Sequence, residues 1–351
     1  MTKHVPKDIV LSVAIPTYER PGPLEKILEQ LIAQKEQRFA VVISDDSAST
    51  AIEEVVKKYA KKLPHLLYHK NKKNLGFSGN VCKLYELAQT RYVWFLCDDD
   101  TVLPDAIKNI LSAIERYKPV VAVFNTRWVD SFGRDSVAGV KKDIVYTDRQ
   151  KLTDYQPLMR TTFLSIVVVE KRLSLDAIKE KAYTDNIFFQ VTLSLLLLSD
   201  KFTYCEIASP IVRRNVGYKY GEFFKFYLVD ELKAVTIVDH AFDNRKFMQW
   251  SVKHLPSAFE LYLSQKIGLF KYHGRPTKTT IKLLLHFYGV YSLLFPLFVL
   301  AYYLTPSVLI ALVYRMVLWR YHGITTGNRV YRENVNRAFT DNRKTGFTSY
   351  R

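Results

Sequence analysis

The chain has 351 residues, room for one large domain with an appendage or for two modest domains. Its 48% hydrophobic and 14% aromatic content, with only 13 Gly and 13 Pro, is that of a folded protein. A net charge of +17 demands a polyanionic neighbour, and nucleic acid, anionic lipid headgroups and nucleotide diphosphates all qualify.

Cys82, Cys97 and Cys205 are isolated, with no paired spacing and no nearby His ligands. That argues against a disulfide framework or structural zinc and fits a reducing compartment. Met1–Val10 carries charges and no apolar core, so it is not expected to be a signal peptide.

Ile9–Ile15 is a nearly continuous run of apolar, branched residues ending at Pro16, which predicts a strand buried on both faces. Pro23–Lys35 has helical spacing, Phe39–Ser44 reads as a second strand and Ala51–Lys62 as a second helix. A weaker strand follows at His65–His69, then a helix over Phe77–Gln89 and a short buried strand at Tyr92–Cys97. Pro104–Tyr117 predicts a helix and Val120–Asn125 a strand. Strand–helix alternation at this density argues for a doubly wound α/β domain with a mostly parallel sheet.

From Ser131 to Asp148 the pattern loosens into a loop or hairpin. A strand at Phe163–Val169, an apolar helix at Asp185–Leu198 and a strand at Thr203–Arg213 follow. After Gly217 only helices are expected, so the alternating domain is placed at 8–215 and a helical extension at 216–280.

Leu283–Tyr314 contains no Lys, Arg, Asp or Glu, and Pro296 and Pro306 interrupt it. Lys278, Lys282, Arg315 and Arg320 bracket it, and Tyr291, Tyr302, Tyr303, Tyr314 and Trp319 lie along it, as interface anchors do. The tail from Gln265 onward holds 13 Lys or Arg against 2 acids. Basic plus apolar reads as a membrane surface before it reads as nucleic acid. The segment 281–322 is therefore expected to associate with the cytoplasmic face of a membrane, by spanning it, re-entering it or lying in its plane, with a basic tail at 323–351. A buried helical hairpin is the alternative.

The most informative chemistry is Cys97-Asp98-Asp99-Asp100, directly after an apolar strand. In an open α/β sheet, ligands sit outside the carboxyl ends of the strands. Three consecutive carboxylates there repel one another unless a cation neutralises them, and Mg2+ or Mn2+ takes carboxylate and phosphate oxygens together. Asp98, Asp99 and Asp100 are thus candidate ligands of a metal–diphosphate site; the alternative is a solvated turn before the next helix.

Asp45 and Asp46 follow the second strand, where an acid can accept hydrogen bonds from a nucleobase imide or a ribose hydroxyl, or cap the next helix. Pro16-Thr17-Tyr18-Glu19-Arg20 ends the first strand, and Asn74-Leu75-Gly76-Phe77-Ser78-Gly79-Asn80 opens a helix with small residues suited to phosphate or ribose contact. Arg213 and Arg214 could neutralise a departing diphosphate or hold a lipid phosphate.

Together, Ser12–Tyr18, Val41–Ser47, Asn74–Asn80 and Tyr92–Asp100 with Pro104 resemble the family 2 glycosyltransferases, in the family's order and spacing. The resemblance covers roughly Val10 to Asn215 and implies a GT-A fold, a nucleotide pocket built by Thr17, Tyr18, Glu19 and Asp45 or Asp46, and inversion at the anomeric carbon. It implies a DxD-type metal site at Asp98–Asp100, although many relatives carry Asp where Cys97 stands, so the frame has two readings. Asp98 is expected to face the ribose, with Asp99 or Asp100 on the metal.

The family's base is an acid at a helix head late in the domain, which makes Asp185 the expected base. An N-cap is its ordinary role, and Asn186 stands where the family often has a second acid. The implied reaction moves a sugar from a UDP-type donor to a hydroxyl of a lipid-linked or cell-surface glycan, with no nucleic-acid partner. Two rivals are transfer to a polyprenyl phosphate and a non-catalytic basic protein on the same scaffold.

Overall fold

The computed structural model describes residues 5–129, 135–148, 160–174 and 189–214. The first strand, β1 (Leu11–Thr17), is buried at every position, as expected for a strand covered on both faces. Helix α1 (Pro21–Ile32) starts with proline in its first turn and buries Leu24, Ile27, Leu28 and Leu31, one stripe at helical spacing. Burying each such side chain contributes roughly 1.5–3 kcal/mol.

β2 (Ala40–Asp45) is again fully buried. Helix α2 (Ala51–Tyr59) carries Glu53 and Glu54 in its first turn and Lys57 and Lys58 in its last, which suits the helix dipole at both ends. β3 (Leu66–Lys70), α3 (Gly76–Leu87) and β4 (Tyr92–Phe95) follow. A two-residue strand, β5 (Thr101–Val102), precedes α4 (Ala106–Tyr117), which ends where Lys118 turns left-handed at φ 46°. β6 (Val121–Val129), β7 (Asp135–Ala138) and β8 (Ile144–Tyr146) come next. β9 (Val167–Glu170), α5 (Phe189–Asp200) and β10 (Tyr204–Arg213) complete the described elements.

The described strands form one sheet in the order β3-β2-β1-β4-β9-β6-β10-β5, with β7 on β6 and β8 on β10. From β3 to β4 every pairing is parallel. Beyond β4 the sheet is mixed: β9 runs antiparallel to both β4 and β6, while β6 and β10 are parallel. Because β2 and β3 lie on one side of β1 and β4 on the other, the connections reverse direction there. This opens the crevice where α/β sheets bind ligands, at the carboxyl ends of β1 and β4.

The structure corrects the sequence reading in three places. Phe163–Val169 is not one strand: Leu164–Ile166 is a 3-10 turn, and only then does β9 begin. The stretch expected as a loop or hairpin contributes β7 and β8, which pair with β6 and β10 rather than with each other. Thr101–Val102 pairs antiparallel with β10, a long-range bond that no local pattern announces.

Every described element belongs to one compact unit apart from the last residue of β6 and the first of β7. The expected boundary near 215 falls at the edge of the described residues, and the segments 216–280, 281–322 and 323–351 lie outside them. Among the described residues no helix is long and apolar enough to cross a membrane.

Candidate active site

The carboxyl ends of β1, β2 and β4 bring most of the candidate residues together. Parallel register sets Pro16 opposite Ser44 and Thr17 opposite Asp45, and the Asp46 amide donates to the Thr17 carbonyl at 3.0 Å. Leu96, two residues before Asp98, donates its amide to the Ala14 carbonyl at 2.9 Å, so the acidic triplet emerges beside the end of β1.

Asp98 is turned toward β1. The Thr17 hydroxyl donates to its Oδ2 at 3.0 Å, and the Arg20 guanidinium lies 2.9 Å from its Oδ1. Burial pushes the Asp98 carboxyl up to about 6, against the opposing pull of Arg20 and Thr17. Arg20 also stands 4.0 Å from Asp99.

Asp99 and Asp100 form a second group with Cys97. Their carboxylate oxygens and the Cys97 sulfur lie within 4.8 Å of one another, a donor set able to hold a cation. The turn is tightened by the Asp100 amide, which donates to the Cys97 carbonyl at 3.4 Å. Burial, with Asp100 and Asp99 close by, pushes the Cys97 thiol well up. Mixed sulfur and carboxylate donors fit a divalent cation, and the structure places Asp98 apart from that group.

The two acids after β2 differ in their surroundings. Asp45 is fully buried: its Oδ1 accepts from the Ser47 amide at 2.8 Å, and its Oδ2 accepts from the Tyr68 hydroxyl at 2.8 Å and Lys70 at 3.1 Å. Those bonds fill Oδ2 and leave one acceptor position on Oδ1. Asp46 accepts from Asn71 Nδ2 at 2.7 Å and from the Leu75 amide at 3.2 Å, and burial pushes its carboxyl up. Asp46 thereby anchors the Asn74–Asn80 turn against the strand ends.

In that turn the Asn74 side chain accepts from the Gly76 amide at 2.7 Å. Gly76 sits at φ +72°, a backbone state that side chains disfavour. Asn80 donates to the Thr17 carbonyl at 3.4 Å and accepts from Asn71 at 3.2 Å, closing a small polar network under the crevice.

Glu19 adopts φ 51° and binds the loop before α2: its carboxylate accepts from the Ala48 amide at 2.6 Å and from the Ser49 amide and hydroxyl at 3.1 and 2.6 Å. A non-glycine residue in the left-handed region persists only where surrounding bonds hold it, and here they do. Tyr18 between them is 54% exposed, an aromatic face offered to solvent at the mouth of the crevice.

Arg213 lies opposite Thr101 in the sheet, one residue beyond the triplet. Arg214 instead places its guanidinium 5.4 Å from the Phe163 ring centre. Asp185 lies outside the described residues.

Sequence reading gave no role to four residues that build the site. Arg20 pairs with Asp98, Asn71 links Asp46 to Asn80, and Tyr68 with Lys70 fills Oδ2 of Asp45. Tyr68 and Lys70 stand two apart on a strand and so share a face, the one signal that could have paired them. A cavity of about 210 Å3 lined by Asp8, Arg38, Tyr92 and Leu111 opens at the other ends of β1 and β4, away from these carboxylates.

Residues 12–167 match the description Glycosyl transferase family 2. An uncharacterized glycosyltransferase of Methanocaldococcus jannaschii is 26% identical over 122 residues, 34% of this chain and 41% of that protein. The GalNAc(5)-diNAcBac-PP-undecaprenol beta-1,3-glucosyltransferase of Campylobacter jejuni is 30% identical over 102 residues, 29% of this chain and 33% of the relative. The chain thus spans well under half the length of these two relatives. The crystal structure of S. aureus TarS 1-349 superposes with a TM-score of 0.58 at 17% identity, covering 79% of this chain and 80% of that one, a likeness of fold. The matched stretch, just under half of the chain, runs from β1 to the first residue of β9 and contains the acidic turn at the strand crossover, so the likeness to glycosyl transferase family 2 falls on the part of the fold that builds this site.

Proposed function

We propose that the domain transfers a sugar from a UDP-type nucleoside diphosphate donor to an acceptor hydroxyl, with inversion at the anomeric carbon. One observation carries this reading: Thr17 and Asp98 meet at 3.0 Å where the strand order reverses, beside the Cys97, Asp99 and Asp100 group. A nucleotide laid across that crevice places its ribose toward Asp98 and its diphosphate toward Asp99 and Asp100. TarS has been crystallised in complex with UDP-GlcNAc, which supports a UDP-sugar as donor.

Thr17, Asp46, Asn71 and Asn80 hold the floor of the pocket rigid, and Tyr18 offers a stacking face for the base. Asp99 and Asp100 are the residues to hold a divalent cation, Mn2+ or Mg2+, whose chemistry there is neutralisation of the departing diphosphate. The acceptor oxygen attacks the anomeric carbon as the bond to the diphosphate breaks, and the hydroxyl proton passes to Asp185.

The acceptor is a lipid-linked or cell-surface glycan, met at the cytoplasmic face of a membrane to which 281–322 holds the protein. The undecaprenol-linked substrate in the C. jejuni relative's name supports that class of acceptor.

A panel of nucleotide sugars, scored by nucleotide release with membrane extract as acceptor, tests the reading. Release is expected with one UDP-sugar, to stop with EDTA and to return with Mn2+ or Mg2+. Nucleotide binding without transfer for any donor would identify a non-catalytic protein. Transfer that survives Asp185→Asn would point to a polyprenyl phosphate, an acceptor that ionises without help. Full-length protein that stays soluble without detergent and does not float with liposomes would remove the membrane assignment.

A further inference from the structure

We propose that the Cys97 thiolate is itself a ligand of the divalent cation, making a mixed sulfur–oxygen site that discriminates against Mg2+. The inference rests on the reading above that a divalent cation serves this site, and it concerns which atoms hold that ion.

The acidic triplet cannot act as three equivalent ligands. Asp98 is committed to β1, with Thr17 on one oxygen and Arg20 on the other. The group whose donor atoms converge is Cys97, Asp99 and Asp100, all within 4.8 Å of one another. A first-row divalent ion takes sulfur at about 2.3 Å and carboxylate oxygen at about 2.0–2.2 Å, so donors facing each other across it stand about 4.5 Å apart. Only one pair can face across the ion, and donors at right angles or tetrahedral angles stand about 3–4 Å apart, so a contraction of up to about 1 Å lets all three share one ion. Sulfur then stands as the third donor beside two carboxylates.

Cys97 is also held in position. Its amide donates to the Ser165 hydroxyl at 3.0 Å, and the Ser165 carbonyl accepts from the Trp94 indole at 2.9 Å. Ser165 and Trp94 are both fully buried, so a link from the 3-10 turn before β9 fixes the residue that opens the acidic turn. Cys82 and Cys205 lie in α3 and β10, outside the donor group.

Ligand softness then sets the preference. Mg2+ is hard, keeps its waters and takes oxygen, whereas Co2+, Zn2+ and Cd2+ accept thiolate readily and Mn2+ stands between. Binding through sulfur releases the thiol proton to the buffer and leaves a sulfur–metal bond. A carboxylate at the same position would favour Mg2+.

The test is a titration of the full-length protein with Co2+, read by absorption and by calorimetry. Thiolate ligation gives a near-ultraviolet sulfur-to-cobalt charge-transfer band, which carboxylates alone do not. The band is expected in the wild type and lost in Cys97→Ser. Cys97→Asp is expected to improve Mg2+ affinity relative to Mn2+ by about tenfold, an expectation based on the change of donor from sulfur to oxygen. Calorimetric binding of Co2+ without the band would overturn the proposal while leaving the metal site standing. A band that persists in Cys97→Ser would overturn it by assigning the sulfur elsewhere. If neither Co2+ nor Mn2+ binds the wild type, the metal reading fails and takes this inference with it. Because the wild-type spectrum alone is decisive, a variant that folds poorly cannot rescue the idea.

Discussion

The sheet holds buried carboxylates in two regions and treats them in opposite ways. In the mixed half, Glu206 on β10 is matched: Arg160 lies 2.6 Å away, Tyr146 donates to it at 3.2 Å, and Arg160 also donates to the Phe124 carbonyl and to Asn125. At the β1–β4 crossover, Asp98, Asp99 and Asp100 follow one another in the chain, with Arg20 2.9 Å from Asp98 and 4.0 Å from Asp99. A buried acid with a built-in cation holds the fold together, whereas three consecutive acids repel one another and favour a bound cation. An acid paired across the sheet thus marks architecture, and a run of like charge at strand ends marks the site.

The largest effect expected from breaking this contrast is at the acidic turn. Asp99→Ala and Asp100→Ala should each abolish transfer and metal-dependent nucleotide-diphosphate binding, with circular dichroism unchanged. Undiminished donor binding in both variants would remove the metal assignment. Next comes the proton acceptor: Asp185→Asn should keep donor affinity while turnover falls by about 10²–10⁴. Near-wild-type rates on a hydroxyl acceptor would mean that another group is the base.

The balanced region should respond in the opposite sense. Arg160→Met leaves Glu206 buried without its cation and should cost about 3 kcal/mol of stability in denaturant titration, with donor affinity intact in the folded fraction. A loss of affinity without a loss of stability would merge the two regions into one site.

The smallest effect is a dependence on pH. Asp98, raised to about 6 by burial, binds its proton more tightly folded than unfolded. Its contribution to stability is therefore fully present below pH about 4 and is lost as pH rises through about 6, a change on the order of 2–3 kcal/mol. In EDTA, the difference in stability between wild type and Asp98→Asn should shrink by that amount over this window. A difference that is flat with pH would mean that Asp98 is not desolvated.

The parallel half was legible in the sequence because its signals are local. Apolar runs such as Leu11–Thr17 and Ala40–Asp45 have to be buried on both faces, and stripes such as Leu24, Ile27, Leu28 and Leu31 have to pack on them. The mixed half was less legible because its pairings are distant. β5 is two residues long and exists through β10, more than a hundred residues later, and β8 reaches β10 rather than its neighbour β7. The site divides in the same way. Asp98–Asp100, Thr17 and Asp46 stand at strand ends and could be named from position, whereas Arg20, Asn71 and Ser165 matter through what they touch.

By itself the sequence determined the alternation of strand and helix, the burial of β1, β2 and β4 and the presence of acids at their carboxyl ends, because periodicity and composition act within a few residues. Only the tertiary structure decided the use of each acid. Asp45 takes Tyr68 and Lys70 on one oxygen, Asp98 is drawn to Thr17 and Arg20, and Cys97 joins Asp99 and Asp100. What each of these neighbouring side chains meets is set by strands brought alongside from elsewhere in the chain.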